Sequence, residues 1–168
     1  MSDLYQEHLV KKEQTGGAKA GKYAMIGLTA LFVAAGLLLT PLALLIALVL
    51  GLVTYFVVIP RTDLEYEYLF VNGELDIDKI MAKSKRKRVK SLNIQEADII
   101  APVTSHRMDY YNSNTKLKVW DLSSGNPQNK RYAIIIRDNG ETCKVIVEPD
   151  ENMAKAMRSS APSKVFLD

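Results

Sequence analysis

The densest run of side chains able to hold a ligand lies between Lys79 and Lys90. Lys79, Lys83, Lys85, Arg86, Lys87, Arg88 and Lys90 follow one another there without a single acid. Ammonium and guanidinium groups in such a run attract anionic oxygens, and beside a membrane each contributes about 1 kcal/mol of attraction to acidic headgroups before salt screening. Lys83, Lys85, Arg86, Lys87, Arg88 and Lys90 are therefore the candidate contacts for anionic lipid or for an acidic protein partner. A solvated basic hairpin that only holds this part of the chain on the cytoplasmic side explains the same run. Nucleic acid is a weaker reading, because the net charge is only +3 and acids nearly balance bases beyond Arg61.

Catalytic chemistry finds few components. His106 follows Thr104-Ser105 and precedes Asp109, so a membrane-associated enzyme or enzyme subunit with its site near His106 and Asp109 is the alternative, provided these groups converge in a concave site. An exposed loop histidine is the plainer expectation. Cys143 alternates with Val145 and Val147 and has no base beside it, the pattern of a core thiol. The spacing of two histidines and one cysteine matches no zinc site. No glycine-rich phosphate loop occurs, and no cofactor is expected. Asp76 and Asp78 alternate on one strand face, where Lys79 and the facing Glu65 and Glu67 predict a solvated charged surface rather than a cation site. Trp120 is expected to anchor the core. The polar loop Ser123-Ser124-Gly125-Asn126-Pro127 suits either recognition or a simple connection.

Other parts of the chain must position these groups. From Tyr23 to Pro60 there is no Asp, Glu, Lys, Arg or His, and every charge lies outside that stretch. As one helix it would extend roughly 57 Å, nearly twice the ~30 Å hydrocarbon core of a bilayer. Thr40-Pro41 marks the break, since Pro fits the first turn of a new helix and Thr can cap it. Two antiparallel membrane helices over about 23–39 and 41–59 are predicted. Ala43, Ala47 and Gly51 in the second, and Ala30 and Ala34 in the first, offer small faces for close packing. Lys11, Lys12, Lys19 and Lys22 before the hairpin and Arg61 after it, against an uncharged turn, put both termini in the cytoplasm. Residues 1–22 form a cytoplasmic segment, either a frayed tail or a short amphipathic helix near Leu4–Val10.

Residues 61–168 change to short alternating runs with turn signals, the mark of an antiparallel β domain. Tyr66, Tyr68 and Phe70 share one face, and Asn72-Gly73 turns the chain into Leu75–Asp78. Asn139-Gly140 joins Tyr132–Arg137 to Thr142–Val147 in the same way. Further strands are expected at Arg88–Ile94 and Lys116–Leu122, with a weaker one at Arg107–Tyr111 and a helical turn near Gln95–Ile100. A last helix starts near Pro149-Asp150-Glu151, runs to about Arg158, and turns Met153 and Met157 toward the sheet. The tail Lys164–Leu167 has enough apolar bulk to dock back.

Six or seven strands followed by one helix is the order of the pleckstrin-homology superfold. The run Asp63–Tyr68 behind an apolar hairpin, Asn72–Ile80, Lys85–Arg88 and Val147–Glu151 together resemble a family of bacterial two-helix membrane proteins with a cytoplasmic pleckstrin-homology-like domain. The similarity spans about residues 20–168. It implies an α+β membrane protein in which a two-helix transmembrane hairpin precedes a β-barrel or sandwich closed by a C-terminal helix, and it brings no activity with it. The basic loops with which many such domains hold phosphoinositides point toward lipid. Here the patch follows the second expected strand, so nonspecific contact with acidic headgroups is the expectation. The reading is a noncatalytic membrane-tethered binding or scaffold module in the bacterial cytoplasmic membrane, meeting a lipid or a membrane or cytoplasmic protein partner.

Overall fold

The computed structural model describes residues 5–138 and 140–168, which form two compact units. One comprises residues 13–64 with the short segment Ile80–Lys85, and the rest of the chain makes the other.

The larger unit contains two four-stranded sheets. β1 (Tyr5–Lys11), β2 (Leu64–Val71), β3 (Glu74–Met81) and β4 (Lys85–Asn93) form the first in that order. β1 is the main departure from expectation: the segment near Leu4–Val10 is neither a helix nor a loose tail, although Leu4 itself lies outside the described residues. Its alternation places His8 and Val10 opposite Tyr68 and Tyr66 in an antiparallel ladder that runs from Tyr5↔Val71 to Lys11↔Glu65. Val10 thereby enters the core at 5% exposure. The whole helical hairpin is thus an insertion between two paired strands.

β2 and β3 are joined through Asn72 and Gly73 with φ of 50° and 96°, the left-handed pair that a tight hairpin turn requires. The second sheet has the order β5-β7-β8-β6, with β5 at Ile99–Pro102, β6 at Lys118–Asp121, β7 at Tyr132–Asp138 and β8 at Glu141–Val147. Asn139 of the second Asn-Gly pair lies outside the described residues, while Asp138↔Glu141 closes the β7–β8 ladder beside it. β6 runs parallel to β8, against the expectation of a wholly antiparallel domain. The cause is the loop after β6: Asp121 pairs beside Ile146 and Tyr132 beside Val147, so the chain crosses the end of β8 before returning as β7. A strand that leads into β7 across one end of the sheet must be antiparallel to β7 and therefore parallel to β8.

Between the sheets, Tyr68, Phe70, Leu75 and Ile77 meet Ile134, Val145 and Val147, all essentially inaccessible. The C-terminal helix, Glu151–Ser160, starts where Asp150 accepts the Met153 N–H at 2.8 Å and sets Met153, Ala156 and Met157 into this core. Ala101, Met108, Ala133 and Ile135 form a second apolar cluster, packed with Tyr111 and Phe166. The tail covers it by bridging β5 in parallel at Ile100↔Val165, with Phe166 N–H donating to the Ile100 carbonyl at 2.8 Å. Residues 107–111, proposed as a strand, are instead helical turns at His106–Met108 and Asp109–Ser113, because Ser105 caps the first by accepting the Arg107 N–H.

In the smaller unit, α1 (Gly16–Leu38) and α2 (Leu42–Val53) pack antiparallel. α1 begins seven residues before Tyr23, capped by Thr15, which accepts the Ala18 N–H. α2 continues through a wider turn at Thr54–Val58 into a last turn at Ile59–Thr62. The Ile59 N–H reaches back five residues to Thr54. Pro60 follows immediately, and its ring and missing N–H disrupt ordinary helical bonding there, which a single wide turn absorbs. Ala43 and Ala47 are buried as the small-residue pattern predicts. Ala30 and Ala34, by contrast, are exposed, and the close approach in α1 is at Gly36, where an added Cβ would lie 2.5 Å from Leu44 Cγ and 2.9 Å from its backbone nitrogen.

Candidate functional site

Strand alternation divides the basic run into groups with different work. Arg86 and Arg88 turn onto the outer face of the first sheet. The Arg86 Nη2 meets Glu67 Oε1 at 2.5 Å, and Arg88 reaches Asp76 at 3.0 Å and Asp78 at 3.2 Å. These pairs engage one oxygen of Asp76 and the carboxylates of Glu67 and Asp78, while the other Asp76 oxygen, Oδ1, is buried without a hydrogen-bond partner among the described residues. Lys90 is occupied differently: it pairs with Asp138, and its ammonium stands 4.6 Å from the centre of the Trp120 ring. Trp120, half-buried against the core, also has the Lys118 ammonium 5.3 Å from its ring centre. The arginines and Lys90 therefore hold the β4 edge to its neighbours.

Lys83, Lys85 and Lys87 are exposed and form no ion pair among the described residues. Lys83 lies at the β3–β4 turn, which the sequence did not reveal because it carries no Asn-Gly. Ala82 and Lys83 themselves adopt φ of 48° and 55°, and Ser84 N–H donates to Met81 at 3.2 Å to close the turn. Left-handed backbone costs a residue with a Cβ roughly 1–2 kcal/mol. Within the same compact unit, Ala82 N–H donates at 2.8 Å to the carbonyl of Asp63, directly after the last turn of the second apolar helix.

His106 Nδ1 lies 3.3 Å from Asp109 Oδ2 on a turn where both side chains stand in solvent. Neither group lines the open cleft of about 380 Å³ between Tyr132, Pro149, Ala154 and Leu167, nor the smaller one beside Thr104 and Arg131. Cys143 is buried with Ile136 and Val145, and burial pushes its thiol pKa up, away from the reactive thiolate. Among the described residues no three His, Cys, Asp or Glu side chains gather as a metal-binding group.

The loop after β6 is built rather than loose. Glu148 accepts hydrogen bonds from the Ser124 N–H and hydroxyl at 3.1 and 2.5 Å and from Asn129 at 2.7 Å. Beneath it, the buried Tyr68 hydroxyl donates to Leu122 O at 2.6 Å and accepts the Glu148 N–H, and burial drives its pKa upward. This link between sheets crosses 54 and 80 residues of sequence, beyond the reach of local patterning.

Two sheets around one apolar core with a helix after the last strand define a mixed α+β domain of the PH-like class, whose members are generally noncatalytic binding modules. The family model described as Bacterial PH-like domain (DUF6106) matches residues 2–167, and the chain belongs to that family. The match begins ahead of β1, so the N-terminal strand is part of the family pattern. No curated protein and no solved structure matches the chain.

Proposed function

We propose that this protein is a noncatalytic, membrane-tethered binding or scaffold module that presents its PH-like domain at the cytoplasmic face of a bacterial membrane to a lipid or protein partner. The observation that carries this reading is the exposure of the two apolar helices. Only 6% of the apolar window of the first and 11% of the second is buried, far from the coverage of a soluble core helix. Leu31, Leu37, Leu45, Leu48 and Phe56 are each more than half exposed, and lipid is the solvent that suits such a surface. Removal of α1 as a signal peptide would also remove β1 and Val10 from the sheet. The lysines before the hairpin and Arg61 after it favour the orientation with both ends inside. Tethering raises the effective concentration of any ligand that shares the membrane surface, so modest contacts suffice for binding.

Membrane fractionation tests the reading. The full chain is expected to stay in the pellet through alkaline carbonate, whereas a chain in which a short turn joins Lys11 directly to Glu65 is expected to be soluble. Release of the full chain by carbonate would refute the tether.

A further inference from the structure

We propose that Lys83 and Lys85, together with Arg61, Lys19 and Lys22, form a cationic collar that binds the acidic headgroups of the bilayer holding the hairpin. The inference rests on the membrane-tethered reading above and names the ligand class of one part of it. All five side chains belong to the smaller compact unit, whose only acids are Glu13 and Asp63.

The helix register supplies their level. Gly36 lies against Leu44, and Gly51 faces Thr29 at 3.8 Å. Two antiparallel helices with equal rise then set Lys22 level with Val58, and Lys19 with Arg61. From Lys22 to the turn at Thr40 the rise is about 27 Å, close to the ~30 Å hydrocarbon thickness. The cations therefore fall in the headgroup layer at one end when the uncharged turn reaches the other. The hydrogen bond from Ala82 to Asp63 fastens the β3–β4 turn beside this end, bringing the exposed Lys83 and Lys85 to it.

Two features favour a ligand over simple solvation. None of the five cations forms an ion pair among the described residues, while Arg86 and Arg88 are committed to acids of the sheet. The turn also carries Lys83 in left-handed backbone, although the chain uses Asn72-Gly73 at the preceding tight turn, where such backbone is needed. A lysine there holds a charge at the tip at the cost of turn stability.

The test uses the full chain with Cys143→Ala and Ser84→Cys, labelled with a polarity-sensitive dye, in phosphatidylcholine vesicles with and without phosphatidylglycerol. Quenching of the dye by neutral acrylamide is expected to fall roughly twofold in the acidic vesicles and to recover in high salt. Adding Lys83→Gln and Lys85→Gln should abolish the difference while leaving quenching in phosphatidylcholine and the circular dichroism unchanged. Equal quenching in the two lipids, or an undiminished response in the lysine variant, overturns the collar. Carbonate extraction of the same vesicles separates the two failures: release of the protein refutes the tether, and retention without a lipid response refutes the collar alone.

Discussion

A chain that begins at Arg61 contains every residue after the hairpin and yet lacks a strand of its own sheet. Deleting residues 1–60 removes the seven-residue β1 ladder and the Val10 side chain. The ladder's hydrogen bonds, about 0.5–1.5 kcal/mol each, are roughly offset by the 1–2 kcal/mol per residue needed to order the strand. Side-chain burial decides the balance: Val10 contributes about 1.5–3 kcal/mol, and the half-buried Gln6 and His8 add a smaller share, for a total of roughly 3 kcal/mol. In a domain of this size that lowers the melting temperature by roughly 10–20 °C. The comparison is made against a soluble chain in which Lys11 is joined to Glu65 by an Asn-Gly turn, a connection the pairing of those two residues permits. Thermal unfolding followed by circular dichroism reads the difference. Equal melting temperatures for the two chains would show that β1 is not integral to the domain.

Tyr68→Phe strands the Leu122 carbonyl and the Glu148 N–H in the core, so the joined chain should lose about 1–3 kcal/mol in urea unfolding. Gly36→Leu forces the helices apart at Leu44, and disulfide formation between Thr29→Cys and Gly51→Cys, in a Cys143→Ala background, should slow markedly. Lys144 is buried with its ammonium on Asn112, and burial lowers its pKa in the folded state. The unfolded chain then binds that proton more tightly, so stability is least below the folded pKa and rises as pH climbs through it toward the ordinary lysine value. Urea midpoints between about pH 7 and 10 should therefore climb less in Lys144→Met than in the parent.

Much of the architecture was legible because the signals were local. Asn72-Gly73 fixes one hairpin, Asp150 the start of the last helix, and the absence of charge from Tyr23 to Pro60 marks the helical hairpin, though not its place between two strands of one sheet. Features that depend on distant partners were not. β1 reads as an ordinary polar tail until β2 supplies its other half, across the entire hairpin. The β3–β4 turn has no local signature because Ala82-Lys83 adopts backbone angles usually given to Asn-Gly. Residues 107–111 alternate like a strand, but Ser105 caps them into helix and Met108 fills the second cluster. Within the basic run, sequence counts charges without sorting them. Only the neighbouring strands separate Arg86 and Arg88, which face Glu67, Asp76 and Asp78, from the unpaired Lys83 and Lys85.

Labelling from outside intact bacterial cells tests the central claim most directly. In a Cys143→Ala background, Leu39→Cys at the hairpin turn should react with an impermeant maleimide, whereas Asp168→Cys should react only after the cells are lysed. Labelling of Asp168→Cys from outside, or protection of Leu39→Cys alongside ready carbonate extraction, would contradict a hairpin that crosses the membrane and returns its β domain to the cytoplasm.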